Sequence, residues 1–335
     1  MALLEIEDLR IAYSTKGGDA FAVDGISFAI QEGEYLGLVG ESGCGKSTIA
    51  KAIIGILPPQ GRIVSGSIRY RGRELAGLPI SELRRIRWRD IALIPQSAMN
   101  GLDPVYTIEK QMDEAIAAHA DMKAQARHAR IAELFEMVGL NPARLNDYPH
   151  QFSGGMRQRA MIAMAMVLSP QLVLADEPTT GLDVIVQDQI LERLAVIHEQ
   201  TRNAMLLITH DMALVSENCG RIAVMYAGRI MEIGGPDVFA APFHPYTMGL
   251  VNAFPDIASR GSELIAIPGT PPSLVDPPSG CRFRARCPFA TTRCAEETPP
   301  LLEVAPSHFA ACHYVDKAQA FRQETRAPAT WRSAL

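Results

Sequence analysis

Residues 40–48 read Gly-Glu-Ser-Gly-Cys-Gly-Lys-Ser-Thr. The apolar run Tyr-Leu-Gly-Leu-Val at 35–39 precedes them, and Ile-Ala-Lys-Ala-Ile-Ile at 49–54 follows. A strand that runs through such a loop into a helix is the context of a phosphate-binding P-loop. Gly40, Gly43 and Gly45 let the backbone curl until its N–H groups point at phosphate oxygens. The helix N-terminus adds partial positive charge. Lys46 is expected to reach the β- and γ-phosphates, and the Ser47 hydroxyl to ligate Mg²⁺. Ser42, Cys44 and Thr48 complete the expected phosphate contacts. Cys44 reads as a small packing residue, although a helix N-terminus can lower a thiol pKa. A nucleoside triphosphate is the expected ligand.

The 335 residues suffice for two domains. Apolar residues make up 47% and charged residues 21%, an ordinary globular composition. Net charge is −5 with no basic block, which argues against nucleic acid as a main partner. The longest apolar run, 160–168, is too short to span a bilayer. The first five residues meet acid at once and lack a basic leader, so no signal peptide is expected.

Strand patterning covers residues 3–11, 23–30 and 35–39, a hairpin is expected around 66–73, and 91–95 reads as a short buried strand. From about 106 to 168 the pattern turns helical. Ile131, Leu134, Phe135 and Val138 share a helix face, and Gly139 is a helix stop. Strands are expected again at 172–175, 204–209 and 222–225, with a helix at 186–199 between the first two. The pattern is an α/β core with a helical insert. After residue 254 prolines crowd positions 268, 271, 272, 277, 278, 288, 299 and 300, so regular structure should be sparse. The polar stretch beyond residue 317 reads as a loosely ordered tail.

Two more motifs carry chemistry. Leu-Val-Leu-Ala-Asp-Glu at 172–177 is an apolar strand ending in two carboxylates, the form of a Walker B motif. Asp176 is expected to hold Mg²⁺ and Glu177 to act as general base on the attacking water. Phe-Ser-Gly-Gly-Met at 152–156 lies just upstream and opens a helix that Ser153 can cap, giving a second anion site.

In this order the motifs resemble the ATP-binding-cassette (ABC) ATPases over residues 3–253. The resemblance implies a P-loop NTPase ABC cassette, with a RecA-like core, an antiparallel β subdomain and a helical subdomain at about 100–168. It implies that 152–156 is the signature, with Ser153 and Gly155 contacting ATP held by the opposite subunit. Gln96 matches the Q-loop glutamine, which senses Mg²⁺ and couples to membrane subunits. Gly181-Leu182-Asp183 matches the D-loop, His210 the switch histidine and Tyr13 the aromatic that stacks on adenine. The commonest signature has Gln where this chain has Met156. Backbone donors do most of the binding there, so function is expected to survive.

A narrower resemblance rests on His244-Pro245-Tyr246-Thr247, on Ile-Pro-Gly-Thr-Pro-Pro at 267–272, and on Gly280-Cys281 with Arg286-Cys287-Pro288. These are similar to the oligopeptide/dipeptide importer ATPases and extend the match to about residue 314. Several members of that family carry a [4Fe–4S] cluster on four cysteines in this segment. Cys281, Cys287, Cys294 and Cys312 fit, with gaps of five, six and seventeen residues. Zinc is the alternative, since four thiolates around either centre leave negative charge. Arg282, Arg284, Arg286 and Arg293 could offset it. The spacing lacks the Cys-x-x-Cys pairs of zinc ribbons, which favours the cluster.

The expected protein is therefore the ATP-hydrolysing subunit of a peptide-type ABC importer, using ATP and Mg²⁺. Expected domains are a nucleotide-binding domain over 1–255 and a small irregular Cys-rich C-terminal domain with a flexible tail over 256–335. Expected partners are a second ABC subunit, two transmembrane permease subunits and an extracytoplasmic substrate-binding protein, with the chain peripheral on the cytoplasmic membrane face. A soluble ABC ATPase driving complex assembly, for example iron–sulfur biogenesis, is the alternative reading. Similar ATPases serve importers of peptides, nickel chelates, opines and oligosaccharides, and the sequence does not choose among these cargoes.

Overall fold

The computed structural model describes residues 2–96, 101–253 and 266–332. Two sheets organise the chain. The first is four-stranded and antiparallel, ordered β2-β1-β4-β5, from β1 (Ala2–Thr15), β2 (Gly18–Gln31), β4 (Gly61–Tyr70) and β5 (Arg73–Glu74). The second is eight-stranded, ordered β11-β12-β10-β9-β3-β8-β7-β6. Its parallel part comprises β3 (Tyr35–Val39), β6 (Ile91–Ile94), β7 (Leu172–Asp176), β8 (Ala204–Ile208) and β9 (Arg221–Tyr226). Antiparallel neighbours β10 (Arg229–Gly234), β12 (His308–Ala310) and β11 (Leu302–Ala305) extend one edge.

The parallel strands are apolar on both faces because both faces are covered. Leu36, Leu38, Leu172 and Leu174 face a core shared with Leu4, Ile6, Leu9 and Ile11 of the antiparallel sheet and with the helix Lys46–Ile53. Their alternates Tyr35, Val39, Val173 and Ala175 face the helices. There the helical insert contributes Ile108–His119, Ala124–Met137 and Gly154–Ala165, and the long helix Val184–Thr201 packs beside it. Ile131, Leu134, Phe135 and Val138 are all fully buried, and Gly139 takes φ +74° where the helix ends. The expected hairpin at 66–73 forms, with Tyr70 opposite Arg73.

Strands β3, β8, β7 and β6 lie side by side with the same direction, so their carboxyl ends form one edge. In such a sheet this edge is where ligands bind. It carries residues 40–48 after β3, His210 after β8, Asp176 and Glu177 at the end of β7, and Gln96 after β6.

The C-terminal segment departs from the sequence reading. Its expected start, at 255/256, lies outside the described residues. Downstream, β12 pairs with β10 through Glu232–Ala310 and Ile233–Phe309, so the segment extends the main sheet. A buried carboxylate anchors this join. Glu232 accepts from the backbone N–H of Phe243 at 2.6 Å and of His244 at 3.0 Å, and lies 2.7 Å from His308 Nε2. Where the sequence reads as a loose tail, residues 318–332 instead form the helices Ala318–Glu324 and Pro328–Arg332. Buried side chains hold them: Trp331 is buried with its indole N–H donating to Thr325 O at 2.9 Å, and Phe321 is buried and stacked on Phe289.

Candidate nucleotide site and thiol-lined centre

A cavity of about 350 Å³ opens at the carboxyl edge, lined by Tyr13, Ala22, Ser42, Gly43, Gly45, Lys46, Ser47, Thr48, Gln96, Glu177 and Leu274. Nine of the sequence-predicted residues thus meet at one place. The glycines there answer to contacts as well as to dihedrals. A Cβ on Gly40 would sit 2.0 Å from Met225 O, and one on Gly45 2.0 Å from Ala22 O. Both positions have positive φ, so no other residue fits.

Lys46 is buried, its ammonium donating to Gly40 O at 2.7 Å and Glu41 O at 3.0 Å. Ser47 Oγ donates to Asp176 Oδ1 at 2.6 Å. This brings the two expected Mg²⁺ oxygens together across 129 residues of chain. Burial raises the Asp176 pKa, opposed by the Ser47 hydrogen bond and the nearby lysines. A divalent ion would reverse that balance. The donor set, hydroxyl and carboxylate oxygen, suits Mg²⁺.

Glu177 has φ +45°, a strained value for a side chain of this size. It is held by its own N–H donating to Ile208 O at 2.8 Å. Its Oε2 accepts from Gln96 Nε2 at 3.0 Å and from Thr180 Oγ1 at 2.9 Å. The carboxylate therefore stands in the cavity wall with the Q-loop side chain aimed at it. Thr180 was not singled out in the sequence; as the fourth residue after β7 it has no motif of its own. Tyr13 reaches the P-loop helix, its hydroxyl 3.2 Å from Thr48 Oγ1, with the ring at the cavity.

Other expected residues, among them His210, Ser153, Gly155 and Cys44, do not line this cavity. His210 is exposed beyond β8, next to Asp211, whose carboxylate caps the helix Met212–Asn218. Ser153 is exposed and caps the helix Gly154–Ala165 by accepting from Met156 N at 3.3 Å. Gly155 packs against the helix that follows the D-loop; a Cβ there would meet Val186 Cγ1 at 2.6 Å. Cys44 lines no part of the cavity, and burial pushes its thiol pKa up rather than down.

Sequence reasoning missed two contacts from the C-terminal segment. Leu274 lines the nucleotide cavity, and its carbonyl accepts from Phe21 N at 2.8 Å. Arg286 donates from Nη1 to Glu41 Oε2 at 2.8 Å, inside the P-loop. Neither lies in a pattern that signals a contact more than two hundred residues away.

The four clustered cysteines line one small apolar cavity with His244, Phe283, Phe289, Tyr314 and Phe321. Burial raises the pKa of Cys281, Cys287 and Cys312, the last to about 12. Among the described residues, no group of three or more His, Cys, Asp or Glu is arranged to hold a metal ion. Among the described residues, a ready-made four-thiolate site, for zinc or for a cluster, is therefore not found. The expected counter-charges are mostly engaged elsewhere: Arg282 with Asp24, Arg286 with Glu41 and Arg293 with Glu297. Only Arg284, among these four, lines the thiol cavity.

The fold and the site define a P-loop nucleoside triphosphatase. A family model described as ABC transporter matches residues 23–180, and one described as oligopeptide/dipeptide transporter, C-terminal region, matches residues 231–294. The chain belongs to the ABC transporter family, among the oligopeptide and dipeptide transport ATP-binding proteins, and is an ATPase. It is 44% identical to the oligopeptide transport ATP-binding protein OppD of Escherichia coli K12, covering 93% of each chain. It is 43% identical to the dipeptide transport ATP-binding protein DppD of Bacillus subtilis, covering 94% of this chain and 95% of that one. Among solved structures, the ATP-binding cassette MJ0796, dimeric in a post-hydrolysis state with ADP and Pi, matches with a TM-score of 0.63. The identity is 25%, covering 70% of this chain and 98% of that one.

Proposed function

We propose that this chain is the ATP-hydrolysing subunit of a peptide-type importer, closing as a dimer on two ATP molecules to drive two permease subunits. The observation that carries this is the cavity joining Tyr13, the P-loop, Gln96 and Glu177 in a chain that aligns with peptide-transport relatives almost end to end. Gly40, Gly43, Gly45 and the N–H groups of Ser42, Cys44 and Thr48 cradle phosphates. Lys46 would neutralise them, and Ser47 with Asp176, aided by Gln96, would hold Mg²⁺, which would supply charge stabilisation on the phosphates. Glu177 takes the proton of the attacking water. Ser153 and Gly155, outside the cavity of their own chain, serve the nucleotide held by a second subunit, while His210, beyond β8, serves the nucleotide of its own chain. Exposed Val184 and Ile185, each 71% exposed beside the D-loop, support an interface there. Among the described residues no helix is long and apolar enough to cross a membrane. Membrane attachment would come through permease subunits at the cytoplasmic face, with a binding protein outside delivering substrate.

Residues 256–335 are proposed as an accessory unit whose thiols, Cys281, Cys287, Cys294 and Cys312, hold a [4Fe–4S] cluster with a structural role. Their convergence on one cavity supports a shared centre, and the lack of Cys-x-x-Cys pairs in their spacing is what favours a cluster over Zn²⁺.

The test is purification from membranes with a tagged chain. Recovery with two multispanning proteins, and ATP-dependent peptide uptake lost on deletion, is the expected result. Recovery with soluble assembly partners alone would instead favour the complex-assembly reading. For the centre, anaerobically purified protein should be brown, with iron and sulfide near about four each per chain. A colourless protein with one zinc would overturn the cluster.

A further inference from the structure

The span 267–286 meets the nucleotide site twice, lining its cavity at Leu274 and gripping the P-loop at Arg286. At one end Leu274 joins Tyr13 and Ala22 in its wall. Leu274 O receives the N–H of Phe21, on the edge strand β2, at 2.8 Å. The neighbouring Val275 packs at the β1–β2 turn, 3.6 Å from a Cβ built on Gly18. The backbone at Leu274 is therefore fixed to the cassette rather than laid loosely across it. At the other end Arg286, with its side chain only 7% exposed, is fully committed. Its Nε donates to Pro268 O at 2.7 Å and its Nη2 to Ile267 O at 3.3 Å, which folds the span back on itself. Its Nη1 donates to Glu41 Oε2 at 2.8 Å and to Tyr226 OH at 3.2 Å. Glu41 is held a second time, its N–H donating to Tyr246 OH at 3.0 Å. Its carbonyl is one of the two that hold the Lys46 ammonium.

We propose that this C-terminal span builds part of the nucleotide site in its own chain, with Leu274 as an aliphatic contact for the base opposite Tyr13 and Arg286 as a positioning residue that fixes the P-loop through Glu41. The inference rests on the assignment of this cavity to ATP. An aromatic face and an aliphatic side chain suit the two apolar faces of a purine. A buried arginine gripping a loop residue by a charge-assisted bond removes freedom that the loop would otherwise lose on binding phosphate.

The experiment measures affinity of the full-length chain for ATP and for inorganic tripolyphosphate, which has the phosphates and no base. Leu274→Ala should weaken ATP about fivefold, a loss of roughly one buried aliphatic contact, and leave tripolyphosphate unchanged. Arg286→Gln should weaken both ligands, about tenfold or more, as expected for a lost charge-assisted bond. Its effect should be non-additive with Glu41→Gln and partly restored by Arg286→Lys. Lys46→Ala tests the underlying assignment separately. If it leaves both affinities intact, the cavity is not the ATP site. If it abolishes binding while Leu274→Ala weakens neither ligand, or both equally, the base contact is wrong. Additivity of Arg286→Gln with Glu41→Gln would overturn the positioning role. Arg286→Gln that lowers the melting temperature but keeps both affinities would overturn it as well.

Discussion

Replacing Glu177 with Gln isolates the chemical step. Glu177 Oε2 accepts two hydrogen bonds, from Gln96 at 3.0 Å and Thr180 at 2.9 Å. The carboxamide oxygen of Gln can accept both, so the side chain should stay where it is. The backbone cost of φ +45° is common to Glu and Gln and cancels in the comparison. Lys46, Ser47 and Asp176 do not hydrogen-bond the residue at 177, so phosphate and Mg²⁺ binding should be unchanged. What disappears is the ability to accept a proton from water. A general base contributes about 10²–10⁴-fold, or about 3–5 kcal/mol of barrier. Phosphate release at saturating ATP should fall by at least about a hundredfold while ATP affinity stays at its wild-type value. The variant should also accumulate as an ATP-bound dimer on a sizing column. Turnover close to wild type would refute Glu177 as the base. Loss of ATP affinity would refute the premise that this carboxylate stands clear of the phosphate-binding groups.

Ser153→Arg should abolish hydrolysis yet leave ATP binding by the isolated subunit intact, because Ser153 does not line its own cavity; monomer titration beside phosphate release checks both halves. Asp24 joins β2 to Arg229 and Arg282, and although burial raises its pKa, those two arginines outweigh it and hold the value below the ordinary 3.8. Its stabilisation is therefore fully present above pH of about 4 and is lost as pH falls through its depressed native value. Asp24→Asn should cost about 3 kcal/mol at neutral pH, as breaking a buried pair does, and flatten acid unfolding curves below pH of about 4. Trp331→Ala should destabilise the C-terminal helices by about 3 kcal/mol and expose residues 318–332 to protease. Undiminished protease resistance would show that the two helices hold without the indole.

Elements set by local pattern were legible in the sequence. The strand at 35–39, the short strand ending at Ile94 and the face made by Ile131, Leu134, Phe135 and Val138 follow from periodicity, and the loop at 40–48 follows from glycine spacing. Strand order was not legible. That β8 lies between the P-loop strand and the Walker B strand is a tertiary fact, and it is what brings Ser47 within 2.6 Å of Asp176. The order of motifs along the chain substituted for that knowledge, because the family resemblance carries the topology with it. It could not supply the contacts particular to this chain. The tail misread for the same reason: a few buried residues in a polar stretch, Ala318, Phe321 and Trp331, leave no periodic trace, yet residues 318–332 pack as two helices.

The C-terminal segment is where composition misleads most. Many prolines and few periodic apolar residues read as an appendage held by its own staple. The staple and the attachment are interleaved in one short stretch. Cys281 and Cys287 turn toward the thiol cavity, while Arg282 and Arg286 turn to Asp24 on β2 and Glu41 in the P-loop. The intervening turn, with the 3-10 segment Arg284–Arg286, is too short to move one set without the other. An apolar core alone would not specify this register, since a shift of one residue would exchange cysteine for arginine. The two ion pairs do specify it, because each arginine is nearly fully buried and would be left without a counter-charge after a slip. The thiols therefore converge because the arginines are anchored on the cassette, and the arginines stay anchored while the thiol-lined turn holds its shape. The thiol-lined turn thus belongs to the folding of the nucleotide-binding unit itself, although it lies outside every nucleotide motif.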